Sequence, residues 1–139
     1  MTIPAHLRRL VVQRAQNCCE YCGLAQSGQE AAFHIDHVTP LNANGKTALN
    51  NLALACVSCS LRKGAKLSAR DPQSGGETSL FNPRRDSWRL HFRWNGTRII
   101  GISPTGRARV AALKLNRAVI QAIRQEERLR GRHPSPKHL

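Results

Sequence analysis

At 139 residues, 40% of them apolar, the chain fits one domain or one small domain with an appendage, and its core is too small for stability to rest on burial alone. The net charge of +14 is segregated: residues 1–81 carry 8 Lys and Arg against 5 Asp and Glu, residues 82–139 carry 14 against 3. So one-sided a field attracts polyanions, nucleic acid foremost. No run of 18 apolar residues exists to span a membrane, and without an apolar secretory segment at the N-terminus a cytoplasmic location is expected.

Residues 4–15 are predicted helical, with Pro4 in the first turn and Leu7, Leu10, Val11 and Ala15 at helical spacing. The helix runs into Cys19-x-x-Cys22, beside which Cys18 reads as a small buried residue. Residues 23–30 are polar and loop-like. Residues 31–38 then alternate as a strand does, Phe33 and Ile35 on one face, His34 and Asp36 on the other. Residues 40–49, with Asn42, Asn44 and Gly45, form a long turn, 51–56 a returning strand, and 57–66 a helix whose first turn holds Cys59 and Ser60.

Residues 68–80, with Pro72 and Gly75-Gly76, read as a linker between a core over 1–67 and a basic extension over 81–130. Within the extension Trp88, Leu90 and Phe92 alternate with Arg89, His91 and Arg93, and Asn95-Gly96 followed by β-rich 97–102 completes a hairpin pattern. Ser103-Pro104 would cap a helix through Val110, Leu113 and Leu115, and Asn116 another containing Val119, Ile120 and Ile123. The tail, 131–139, has Pro134 and Pro136 among basic residues with almost nothing to bury, and is expected to be disordered.

Cys19/Cys22 and Cys56/Cys59 have the spacing by which each Cys-x-x-Cys turn sets two sulfurs on one face of a tetrahedral Zn²⁺; without a signal peptide such pairs favour metal over disulfides. Metal-binding energy becomes folding energy in a small domain, and this is the staple a small core requires. Between the pairs, Asp36 offers a hard oxygen ligand beside His37, whose imidazole titrates near neutrality. Taken without the cysteines, Asp36-His37 is a strand-end pair bonded to a turn.

With Asp36-His37 followed by Pro40, then Asn51-Leu52, Cys56-x-x-Cys59 and Lys63-Gly64 standing in order after Cys19-x-x-Cys22, the segment 19–64 resembles the HNH (ββα-metal) endonucleases. The resemblance implies an α+β fold: a ββα-metal core stapled by a structural zinc on Cys19, Cys22, Cys56 and Cys59, with an N-terminal helix and a basic C-terminal hairpin-plus-helix extension. It implies a metal-dependent endonuclease hydrolysing DNA phosphodiester bonds, His37 as general base, Asp36 as ligand of a catalytic Mg²⁺ or Mn²⁺, and Asn51 bracing the catalytic hairpin. Ser60 departs from the family pattern, which commonly places Asn or His there as the ion's second protein ligand; a hydroxyl is the poorer ligand. His34, on Asp36's strand face, is a candidate to touch the ion or a phosphate. Arg62 and Lys63, with Arg84, Arg85, Arg89 and Arg93 of the extension, are candidates to hold the nucleic-acid backbone.

One such site cuts one strand, so double-strand cleavage would take a homodimer or two successive nicks. Two rival readings stand beside the nuclease: a non-enzymatic zinc-stapled nucleic-acid-binding module with a degenerate site, for which Ser60 speaks, and a protein-interaction module within a larger nucleic-acid complex.

Overall fold

The computed structural model describes residues 3–139. At its centre β1 (His34–His37) pairs antiparallel with β2 (Leu52–Ala55) in the register His34↔Ala55, Ile35↔Leu54, Asp36↔Ala53 and His37↔Leu52, and α2 (Val57–Lys63) follows directly. β2 reads Leu-Ala-Leu-Ala and is buried on both faces; small alanines between the leucines let neighbours approach closely. One neighbour is α1 (Ala5–Arg14), which buries Val11 and whose Arg14 donates to the carbonyl of Leu49 at 2.7 Å. The helix, both strands and α2 lie within the spans predicted for them, each shorter by frayed or capping residues.

Cys18–Ala25 folds into the first knuckle between α1 and β1. Its turn closes with the N–H of Gly23 on the carbonyl of Cys19 at 2.9 Å, and Gly23 sits at φ +83°, a left-handed conformation open to glycine at little cost.

After the core come β3 (Ser68–Arg70), β4 (Glu77–Ser79), α3 (Trp88–His91), β5 (Phe92–Asn95), β6 (Arg98–Gly101), α4 (Pro104–Ala112) and α5 (Ala118–Leu129). As predicted, Asn95-Gly96 turns β5 into β6, and Ser103 caps α4 by accepting the Gly106 N–H at 2.9 Å. Elsewhere the structure departs from the sequence reading, each time because a distant partner decides.

The stretch read as a linker forms the β3–β4 hairpin. Its loop is closed by buried Asp71, which accepts from Gln73 N at 3.0 Å and Ser74 Oγ at 2.9 Å, and receives a two-pronged bond from Arg107 of α4, both arms 3.0 Å. Residues 88–91 are a helical turn rather than strand. A turn of helix brings Trp88 and Phe92 to one side, rings 5.5 Å apart against Phe81, and leaves Leu90 70% exposed, where a strand would have carried all three inward. Asn116 does not cap α5; its amide pairs with the backbone of Ile99, donating and accepting at 2.8 Å, as a further strand would.

The tail, expected to be disordered, is docked. His138 and Ser135 are buried, Trp94 Nε1 donates to the His138 carbonyl at 2.5 Å, and the His138 ring meets Trp88 edge-on at 5.4 Å. Hydrogen bonds replace the apolar burial that the tail's composition lacks. His138 Nε2 lies 3.2 Å from the carbonyl of Glu20, which can only accept, so Nε2 carries the proton and Nδ1 accepts from Ser135 Oγ at 2.6 Å. Burial pushes this imidazole down to about 4. Below pH 6.5 the imidazole of an undocked tail takes up a proton that the docked ring refuses until about pH 4, so stability falls as the pH drops through that window. The loss at its lower end amounts to roughly 3 kcal/mol. Tryptophan fluorescence should therefore change between pH 6.5 and 4 in the wild type, since Trp88 and Trp94 both touch His138, and change less in His138→Ala, where His133 beside Trp94 remains to titrate.

Much of the charge that suggested a free basic arm is turned inward. Arg84 pairs with Glu20, Arg107 with Asp71 and Arg132 with Glu127, while Arg109 and Arg124 are 1% exposed. Two of these cations tie the extension to the core: Arg84 to Glu20 and Arg109 to the carbonyl of Tyr21.

Candidate metal centre and catalytic cleft

The knuckle from Cys19 and the N-terminus of α2 bring the four cysteines together. Their sulfurs lie within 4.8 Å of one another, with Cys22 Sγ 3.7 Å from Cys56 Sγ. Four thiolates about 2.3 Å from a tetrahedral Zn²⁺ would stand about 3.8 Å apart, so the cluster is positioned to bind a metal. Each knuckle is organised alike: Cys22 N–H points at Cys19 Sγ and Cys59 N–H at Cys56 Sγ, both 3.4 Å, and the second contact also caps α2.

The surroundings fit a metal tetrathiolate, which carries two net negative charges around Zn²⁺. Arg109 donates to the carbonyl of Tyr21, inside the first knuckle, and its guanidinium lies over Phe92 at 4.1 Å and Phe81 at 4.7 Å. Arg109 Nε and Nη1 and Arg124 Nε and Nη2 are buried without hydrogen-bond partners. Burial lowers Arg109 to about 10, against the upward pull of Cys59 and Cys19; Arg124 is likewise lowered by burial and drawn up by Cys22, Cys59 and Cys19. Two buried cations thus face a centre whose charge they match. Arg109→Met, which keeps the length and loses the charge, should destabilise the protein by about 3–5 kcal/mol, the cost of leaving one partner of a buried charge pair. Thermal melts and zinc release to a chromogenic chelator would read it; a variant that holds zinc and melts as wild type would reduce Arg109 to a space-filler.

A cleft of about 920 Å³ opens on the far side of β1, lined among others by Arg8, His34, Asp36, His37 and Ser60. Asp36 is nearly buried and its Oδ2 takes both the Tyr21 hydroxyl at 2.6 Å and Lys63 Nζ at 3.1 Å. Burial, and then Asp36 itself, hold Tyr21 well above the usual phenol range, so it donates at every ordinary pH. His37 Nε2 lies 2.9 Å from Thr47 Oγ1. The loop carrying Thr47 is fixed by Asn51, whose Nδ2 donates to the carbonyls of Thr39 and Lys46 at 2.9 Å and whose Oδ1 accepts the Thr39 N–H at 2.8 Å. That loop folds so tightly that a Cβ on Gly45 would sit 1.8 Å from the Thr39 carbonyl oxygen. His34 Nδ1 lies 2.9 Å from Ser60 Oγ. One carboxylate, one imidazole and one hydroxyl on one wall form a donor set suited to a divalent cation.

The other expected residues are dispersed. Lys63 cannot grip a phosphate as expected: 3% exposed, it bonds Asp36 and the carbonyls of His37 and Gly64. Arg84 is likewise committed, to Glu20 and the Leu52 carbonyl. Arg62 is half-buried on α2; Arg85 and Lys66 line a smaller groove beside Thr39; Arg89 and Arg93 are exposed away from the cleft. Arg8, Tyr21 and Thr47 were not anticipated. Tyr21 stands between two metal-ligand candidates, a position where an aromatic hydroxyl might have been noticed; nothing local marks Arg8 or Thr47.

Two paired strands and a helix, with four thiols converging beside an Asp-His pair, define a ββα-metal unit of the nuclease type. Residues 19–66 match the family model described as HNH endonuclease. No curated protein and no solved structure matches the chain. Among the described residues no helix is long and apolar enough to cross a membrane.

Proposed function

We propose that the chain is a metal-dependent endonuclease that hydrolyses DNA phosphodiester bonds in the cleft beside β1, with a structural Zn²⁺ on Cys19, Cys22, Cys56 and Cys59. The observation that carries this reading is His37, held through Nε2 by Thr47 and sharing the cleft with Asp36 and Arg8. With the Nε2 proton donated to Thr47 Oγ1, Nδ1 keeps its lone pair and can take a proton from water. The resulting hydroxide attacks phosphorus and the bond to the 3′ oxygen breaks. Asp36 would hold a Mg²⁺ or Mn²⁺, which would supply charge relief to the reaction. Tyr21 and Lys63 fix the Asp36 carboxylate, Asn51 fixes the loop behind His37, and Arg8 meets the phosphate from α1.

One observation favours the second reading, a DNA-binding module without cleavage. Lys63 already neutralises Asp36 at 3.1 Å, and Ser60 is engaged with His34. Supercoiled plasmid separates the two. Nicking that appears with Mg²⁺ or Mn²⁺ and disappears with chelator supports the enzyme; DNA retention without nicking under any divalent cation supports the module.

A further inference from the structure

The position after Cys59 carries a hydroxyl, and that hydroxyl is not presented to the cleft alone: it is bonded to His34. β1 places His34 and Asp36 two residues apart on the same face, and the first turn of α2 sets Ser60 against the His34 ring. His34 is exposed and lines the same cleft as Asp36 and His37. Asp36 has spent Oδ2 on Tyr21 and Lys63, so a cation there would have the other carboxylate oxygen, with an ammonium already bonded to the same carboxylate. A second protein donor would hold the ion more firmly than water and phosphate alone.

We propose that His34 Nε2 is that donor, the second protein ligand of the cation held by Asp36, and that Ser60 is a positioning residue that orients the imidazole rather than a ligand. The proposal rests on the nuclease reading above only for the existence of a cation at Asp36. When Ser60 Oγ accepts the Nδ1 proton, the ring is fixed in the tautomer whose Nε2 lone pair is available, the arrangement that metal-binding histidines commonly adopt through an oxygen acceptor behind them. Nitrogen in place of oxygen shifts the site away from Mg²⁺ and toward Mn²⁺ and later transition metals. The residue at the usual ligand position thus has a new task, and the ligand has moved across the cleft from α2 to β1.

The test uses the full-length, zinc-loaded protein carrying His37→Ala, so that no turnover occurs and His37 contributes no nitrogen. Mn²⁺ binding is measured by the loss of the free-ion paramagnetic resonance signal, and nitrogen coordination by spin-echo modulation from an imidazole on bound Mn²⁺. The expected result is imidazole modulation that vanishes in His34→Ala, with Mn²⁺ affinity falling about 100-fold there and about 10-fold in Ser60→Ala. Mg²⁺, followed by its competition with Mn²⁺, should lose far less in His34→Ala. His34 is exposed, so the variant should keep its zinc and its melting temperature, which are checked in parallel. If Mn²⁺ binds with no nitrogen modulation and is lost in Asp36→Ala but not His34→Ala, the His34 assignment is overturned while the cation site stands. A larger loss in Ser60→Ala than in His34→Ala makes Ser60 the ligand and also overturns it. No Mn²⁺ binding beyond zinc in any form overturns the nuclease reading together with this one.

Discussion

Cys56→Ala is expected to leave the chain without a stable fold. Cys56 Sγ is one of the four convergent sulfurs, and it also accepts the Cys59 N–H that caps α2, so the substitution removes a metal ligand and a helix cap together. Structural zinc in small domains contributes about 10–16 kcal/mol, which matches or exceeds the 5–15 kcal/mol that is the whole net stability of a typical domain. The buried arginines deepen the loss. Once the thiolate centre is gone, Arg109 and Arg124 are buried cations with carbonyl and aromatic contacts but no negative charge facing them. Far-UV circular dichroism should show loss of ordered structure in the variant, and wild type stripped of zinc by a strong chelator should behave in the same way. A Cys56→Ala protein melting like wild type would mean that the core holds itself together.

His37→Ala should lower single-turnover cleavage by about 10² to 10⁴, the contribution of one positioned acid-base group, while leaving DNA affinity unchanged. The separation of the two effects follows from where the residue sits. The imidazole is half-buried and bonded to Thr47, placed to act on a water rather than to anchor the duplex. In the proposed reading affinity is left to Arg8, the cation that lines the cleft. Equal cleavage by variant and wild type would remove His37 from the reaction, and a parallel fall in binding would make it an anchor instead.

What was legible in the sequence is what local spacing determines. The two Cys-x-x-Cys pairs, the strand carrying Asp36 and His37, the capped start of α4 and the Asn95-Gly96 turn each depend on residues within a few positions, and all appear as expected. The misreadings share a different cause. Arg107 reaches Asp71 across 36 residues, Asn116 reaches Ile99 across 17, and His138 reaches Glu20 across 118, so a loop, a cap and a tail each took their structure from a partner that no window contains. Basic residues misled most. Lys63 and Arg84 look like exposed phosphate contacts in a chain of net charge +14, and only burial shows that they balance Asp36 and Glu20.

The docking of Arg109 onto the first knuckle has a consequence in time. Tyr21 and Arg109 are 88 residues apart, and contacts that close so long a loop form late, after the β1–β2 hairpin and the helical turns that need only near neighbours. Metal capture therefore comes before the cationic extension settles over the site. All five cysteines are buried in the finished molecule, and before metal capture the thiols are open to solvent. Oxidation is therefore expected to compete with metal capture in the unfolded chain, and to be blocked for these thiols in the folded one.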